Sequence, residues 1–213
     1  LRGQIAFSRA WAMPTGDTFG AEPIGAFVRR YLAQSNASID PFARNNTWAT
    51  VTNDLNPATS ADYHLEAEEF CREMARQGRR FDLAIFDPPY SPRQIKDCYH
   101  RVGLAVGQKE TQSAALYKRV RDALLPLLEP KATVLSFGWN SAGMGKTRGF
   151  HLVEIMLVAH GGAHNDTICI AERRSASADT HPTGGNSTEI EVPFMSGAVP
   201  KADAQNQPGQ SHD

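Results

Sequence analysis

Four consecutive residues, Asp87-Pro88-Pro89-Tyr90, place a carboxylate, two rigid backbone positions and an aromatic ring at the end of a short apolar run, Phe81-Asp82-Leu83-Ala84-Ile85-Phe86. The run has the length and composition of a buried strand. The prolines stop it, because neither can donate to a sheet ladder. They make a rigid, extended loop at the carboxyl end of a strand, the edge at which open α/β sheets bind ligands. In such a loop the Asp87 carboxylate and a neighbouring carbonyl can accept two hydrogen bonds from one amino group, and Tyr90 can stack on a flat ring. Together they describe a clamp for a planar amine. A plain strand with a Pro-Pro turn uses the same residues, so the rest of the chain must decide between the two.

Two more acids sit at comparable places. Trp48 to Thr52 reads as a strand that runs into Asn53-Asp54-Leu55-Asn56-Pro57. An acid at the end of the second strand of a nucleotide-type α/β fold takes ribose hydroxyls, one carboxylate accepting from both. The same five residues also make a good turn. Upstream, Ser38-Ile39-Asp40-Pro41-Phe42 is a short strand ending in an acid. Downstream, residues 58–66 form a loop leading into a short third strand, and Glu68 to Arg79 is amphipathic, with Phe70, Met74 and Cys71 on the inward face.

The remaining elements alternate. Ile24, Phe27, Val28, Tyr31 and Leu32 recur at helical spacing; residues 7–24 before them read as a loop whose large apolar groups must be buried. After Tyr90, residues 91–113 show few apolar positions beyond Ile95, Tyr99 and Val102, and predict a long excursion. Ala114 to Leu128 is a helix, finished by Pro130, and Ala132 to Phe137 is a strand with Gly138-Trp139 at its carboxyl end. Trp139 can stack on a ligand or simply pack. Phe150–Val158 and Thr167–Ala171 are two strands around a Gly161-Gly162 hairpin turn. Strands alternating with helices give an α/β sheet ending in that hairpin. From Arg174 on, the composition is polar and poor in core residues, which predicts a folded domain over 1–174 and a disordered tail over 175–213, with Val192 and Phe194 as its only docking candidates.

Bulk properties narrow the class. The 213 residues suffice for one domain with a proper core. Mean hydropathy is −0.41, and no apolar run approaches the ~20 residues of a membrane helix. No charged start followed by an apolar stretch marks a secretory leader. The three scattered cysteines, Cys71, Cys98 and Cys169, fit a reducing compartment, so a cytoplasmic protein is expected. His151, His160 and His164 do not form a metal set, and no metal is expected. The net charge is −1 but uneven. The tail holds five acids against Lys201, a net of −4; residues 91–121 hold seven Lys and Arg against two acids, a net of +5. Arg93, Lys96, Arg101 and Lys109 lie in that basic stretch, directly after the candidate clamp, where a phosphate backbone would be met. A solvated helical face has the same composition. Lys146 and Arg148 follow Trp139 and are further candidates for nucleic-acid contact.

The motifs resemble those of adenine-N6 DNA methyltransferases that use S-adenosylmethionine, over roughly residues 7–172 and in the family's order. Asp87-Pro88-Pro89-Tyr90 is similar to their catalytic loop. Trp11-Ala12-Met13-Pro14, Thr18-Phe19 and Pro23-Ile24 look like the N-terminal motif of phage-encoded members, which implies a bacterial or phage-infected host cell. Asp40-Pro41-Phe42 matches Asp-Pro-Phe-x-Gly-x-Gly, but Arg44 and Asn46 stand where the glycines would be. Glu66-Ala67 resembles the family's Asp-Ala. The resemblance implies a Rossmann-like class I methyltransferase fold, a mixed seven-stranded sheet with helices on both faces and its last, antiparallel strand inserted near the edge. It implies S-adenosylmethionine as cofactor, held by Phe19, Pro23, Asp40, Phe42, Asp54, Leu55, Glu66 and Ala67. It implies DNA as substrate, with the target adenine flipped out and its amine held by Asp87 and Pro88. Alternatives are an RNA methyltransferase acting on adenine or guanine amino groups, and an inactive homologue that binds the cofactor only. A nicotinamide oxidoreductase lacks support, because Gly-x-Gly-x-x-Gly is absent.

Overall fold

The computed structural model describes residues 4–103, 113–162 and 164–176. Seven strands form one sheet in the order β1-β6-β7-β5-β4-β2-β3: β1 is Ala6–Trp11, β2 Ser38–Asp40, β3 Val51–Thr52, β4 Phe81–Phe86, β5 Leu128–Gly138, β6 Phe150–Ala159 and β7 Thr167–Arg174. All neighbours are parallel except β7, which runs antiparallel between β5 and β6. The expected architecture, Rossmann-like and mixed, is present. One strand differs in origin. The expected third strand is reduced to a single bridge, Asn53 to Tyr63, and an N-terminal strand, β1, is added at the opposite edge.

β4 is buried on both faces except at the half-buried Asp82, whose carboxylate accepts from Ser35 and the Asn36 and Ala37 N–H groups; its other five residues are apolar, as a strand covered on both sides requires. Leu83 and Ile85 meet helix α1 (Glu22–Leu32) through Ile24, Phe27 and Val28. Ala84 and Phe86 face the other layer, where α2 (Ala67–Arg76) contributes Phe70, Cys71 and Met74, and α4 (Ser113–Leu124) contributes Leu116, Val120 and Leu124. Helices therefore cover both faces, and the period-2 alternation of β4 divides the core between them. α4 stops four residues earlier than its apolar spacing suggests. Pro126 lacks an N–H, and the chain tightens into a single 3₁₀ turn, Leu125–Leu127, before β5.

Two expectations are corrected. Residues 91–113 are not a continuous excursion: α3 spans Pro92–Arg101. Ser91 caps it by accepting from the Gln94 N–H, the Gln94 side chain accepts from the Ser91 N–H, and Pro92 occupies the first turn. Ile95 is the one fully buried residue of the helix, with Tyr99 packed partly buried against the same core, so apolar counting finds too few positions to mark it. Residues 7–24 do not bury their large groups as a loop. Ala10 and Ala12 turn toward the α1 layer, while Phe7 and Trp11 remain 69% and 65% exposed; of the large groups, Phe19 and Ile24 go into the core. The tail expectation for 175–213, apart from Ser175 and Ala176, lies outside the described residues, as does Lys109. Among the described residues no helix is long and apolar enough to cross a membrane.

Candidate active site

The carboxyl ends of β2, β3 and β4 open into a cavity of about 520 Å³. Phe42, Asp54, Leu55, Glu66 and Ala67 line it together with Asp87, Pro88, Pro89 and Tyr90. Residues read separately from the sequence as two groups thus share one space, a volume within the range of small-molecule sites.

The clamp loop is tied at three points. The Tyr90 and Ser91 N–H groups donate to Gln94 Oε1 at 2.7 and 3.1 Å, so the cap of α3 fixes the end of the loop. The Tyr117 hydroxyl, from α4, donates to the Pro89 carbonyl. The Tyr90 hydroxyl donates to Asp87 Oδ1, with the Thr18 hydroxyl 3.5 Å away. Burial pushes the Asp87 carboxyl up to about 6, against the opposing pull of those hydroxyls. Burial likewise raises the Tyr90 phenol, so this hydroxyl remains a donor near neutrality. The Tyr90 ring lies 5.9 Å from Trp139, itself 47% exposed.

The other wall is built from turns. Asn53, fully buried, donates its side-chain amide to the carbonyls of Pro41 and Leu65 and accepts from the Leu65 N–H, joining three segments. Asp54 follows it into the cavity. One of its oxygens accepts from the Arg44 N–H at 3.1 Å and the other from the Asn56 N–H at 2.8 Å. Each oxygen is oriented by one backbone donor and retains acceptor capacity. Glu66 stands at the start of α2 and accepts from the Tyr99 hydroxyl at 2.6 Å. Burial first, then this bond, raises the Tyr99 phenol above its ordinary range. Phe42 meets Phe86 edge-on at 5.6 Å.

Some of the sequence candidates are placed elsewhere. Asp40 is buried and does not line the cavity; its carboxyl accepts from the Phe42 N–H at 2.9 Å, and burial holds it well above the usual carboxylate range. Phe19 packs on Phe137 and Trp48, and Pro23 lies in the first turn of α1; Gly16 and Thr18 of the same segment reach the cavity instead. Of the basic candidates, Arg101 lines the cavity, and Arg93 and Lys96 are exposed on α3, as is Lys146 beyond β5. Arg148 is committed to Asp122, at 3.0 and 2.7 Å, and to the Met144 carbonyl. Tyr99, Tyr117 and Asn53 carry no motif signal, and their roles arise from contacts across the fold; Gln94 closes the local Ser91-Pro92-Arg93-Gln94 capping pattern. His160 faces the Ala12 carbonyl and the Thr167 hydroxyl. Among the described residues no three His, Cys, Asp or Glu side chains group around a metal position.

No family model matches the chain, and no curated protein does. Solved structures do. TrmN from Thermus thermophilus is 17% identical, with a TM-score of 0.44 over 71% of this chain and 48% of that one. The N-methyltransferase NodS from Bradyrhizobium japonicum WM9 is 12% identical, with a TM-score of 0.45 over 75% and 98%. A SAM-dependent methyltransferase from Agrobacterium tumefaciens is 10% identical, with a TM-score of 0.43 over 71% and 60%. The chain spans about half the length of TrmN. At such scores the likenesses are distant, and the architecture rests on this chain's own strand order.

Proposed function

We propose that residues 1–174 form an S-adenosylmethionine-dependent methyltransferase domain that modifies the exocyclic amine of adenine in DNA. The observation that carries this reading is the shared cavity: the Asp54–Leu55 and Glu66–Ala67 walls and the Asp87–Tyr90 clamp line one space. The residues fit the cofactor. Asp54 presents two oriented, unsaturated oxygens to a ribose diol, Leu55 and Phe42 supply apolar walls, and Glu66 offers an acceptor to the adenine amino group. When bound, S-adenosylmethionine supplies an electrophilic methyl group.

The chain's part in the chemistry rests on the nature of the target amine. An exocyclic amine conjugated with a purine ring is a poor nucleophile. Asp87, ionised, and the Pro88 carbonyl accept hydrogen bonds from its two N–H groups, favour a pyramidal nitrogen with an available lone pair, and stabilise the positive charge that develops there until the nitrogen releases one of its protons to solvent. Tyr90 and Trp139 present aromatic faces to a base taken out of the stack. The tied loop keeps both acceptors in place, so little reorganisation is needed during reaction. Exposed Arg93 and Lys96 on α3, immediately after the clamp, suit a phosphate backbone.

The test is transfer of labelled methyl onto adenine-containing DNA, with the modified nucleoside identified. N6-methyladenine in DNA is expected. Product on guanine or in RNA alone moves the chain to the RNA-methyltransferase alternative, and cofactor binding without transfer moves it to the inactive one.

A further inference from the structure

The backbone at Arg44 is in the left-handed region, with φ +53°. This is a conformation that non-glycine residues seldom adopt, and such an outlier is a reason to ask what holds it and what it does. Two bonds hold it. Its N–H donates to Asp54 Oδ2, and its guanidinium Nη1 donates to the Gly16 carbonyl at 2.6 Å. The side chain therefore crosses from the β2–β3 turn to the N-terminal segment carrying Gly16 and Thr18, and all of these residues line the cavity. Its charge also favours the ionised form of Asp87. Among the described residues no carboxylate is paired with this guanidinium.

We infer that Arg44 is a specificity residue that binds the carboxylate on the amino-acid end of S-adenosylmethionine. The inference rests on the methyltransferase reading. With Asp54, Leu55 and Glu66 serving the nucleoside and Asp87 facing the transferred methyl, the part of this ligand left without a partner is its amino-acid end, and the anionic group there is the α-carboxylate. A guanidinium with one nitrogen fixed on Gly16 keeps further N–H donors in the fork geometry that matches a carboxylate. The side chain that stands in a glycine's place thereby becomes an anchor. It also joins the N-terminal segment to the cofactor walls.

Calorimetric titration with S-adenosylhomocysteine and with its decarboxylated analogue separates the possibilities without requiring turnover. Wild-type protein is expected to prefer S-adenosylhomocysteine. In Arg44→Gly, where glycine suits the backbone, that affinity should fall roughly 10- to 100-fold, as expected for loss of a charged hydrogen bond. The analogue should bind within a few-fold of wild type, so the preference disappears. Arg44→Lys, which keeps the charge but not the fork, should fall between. Thermal denaturation of each variant checks that the fold is kept. Undiminished or tighter S-adenosylhomocysteine binding in Arg44→Gly overturns the inference, because the side chain then merely fills space. An equal loss for both ligands overturns it too, leaving Arg44 only a tie to Gly16. So does a loss of preference in Arg101→Ala, the other lining arginine, when Arg44→Gly keeps it. Wild-type protein that binds neither ligand removes the methyltransferase reading itself.

Discussion

The Tyr90 hydroxyl donates a hydrogen bond to Asp87 Oδ1. The aromatic end of the clamp therefore occupies an acceptor site on its acidic end before any amine arrives. The bond has two consequences of opposite sign: it helps keep Asp87 ionised, and it competes with the substrate amine for that carboxylate.

The first consequence gives a pH dependence. Asp87 must be ionised to act as a charged acceptor, and its carboxyl is pushed up to about 6 by burial. Methyl transfer should therefore be lost as the pH falls through about 6 and be full well above it. Tyr90→Phe keeps the ring but removes a bond that stabilises the carboxylate, so its inflection should move to higher pH while most activity at about pH 8 remains. A pH–rate profile for the two proteins checks this; an unchanged inflection would mean the hydroxyl does not control Asp87.

Removing the acceptor should be far more costly than altering its titration. Asp87→Ala should lower the rate by ~10²–10³, the usual effect of losing one oriented electrostatic contact at a reacting centre. Asp87→Asn retains a neutral acceptor and should lose the inflection near 6. Both should bind S-adenosylhomocysteine within a few-fold of wild type. Labelled-methyl transfer run beside calorimetry separates the two quantities, and wild-type turnover in Asp87→Ala would remove Asp87 from the reaction.

Asp54 acts on the opposite wall. Asp54→Ala removes the proposed ribose acceptor and leaves buried donors unmet, at a cost of roughly 1–3 kcal/mol. Cofactor affinity should fall by about one to two orders of magnitude. The Arg44 and Asn56 N–H groups also lose their partner, so circular dichroism and a melting curve must show that the turn survives. Unchanged affinity in a folded variant would take the ribose off Asp54.

Asp40, buried behind the cavity wall, gives a prediction of stability. Its carboxyl lies well above the usual range because it is buried. Between its unfolded value near 3.8 and its folded value, the folded state holds a proton that the unfolded state has released. Wild-type stability should therefore decline as pH rises above about 4. Asp40→Asn preserves an acceptor for the Phe42 N–H without the charge. Its melting temperature should exceed that of wild type at about pH 7, with the advantage vanishing near about pH 3. A pH series of thermal melts tests the sign; a variant less stable than wild type at neutral pH would show that Asp40 is held as a carboxylate.

The sequence by itself determined the elements with a strong local signal. The run from Phe81 to Phe86 is a buried strand because five of its six residues are apolar, four of them consecutively. The prolines after Asp87 end it because they lack donors. The helical spacings of Ile24–Val28 and Phe70–Met74 mark the faces that cover the sheet. Asp54, Glu66 and the clamp were legible for the same reason, since each closes a local pattern at the end of a strand or the start of a helix. Only the tertiary structure decided what those residues touch. Tyr117 reaches Pro89 across 28 positions, and Tyr99 reaches Glu66 across 33. Neither separation has a period to betray it. The capping box of α3 was readable in Ser91-Pro92-Arg93-Gln94, yet a helix with one buried anchor carries too little apolar pattern to stand out. Arg44 is the sharpest case. In the sequence it is a departure from the motif that Asp40-Pro41-Phe42 resembles, while in the fold its left-handed backbone is held by Asp54 and its guanidinium by Gly16. Strain of that kind is borne by surrounding contacts, and those contacts exist only once the chain has packed.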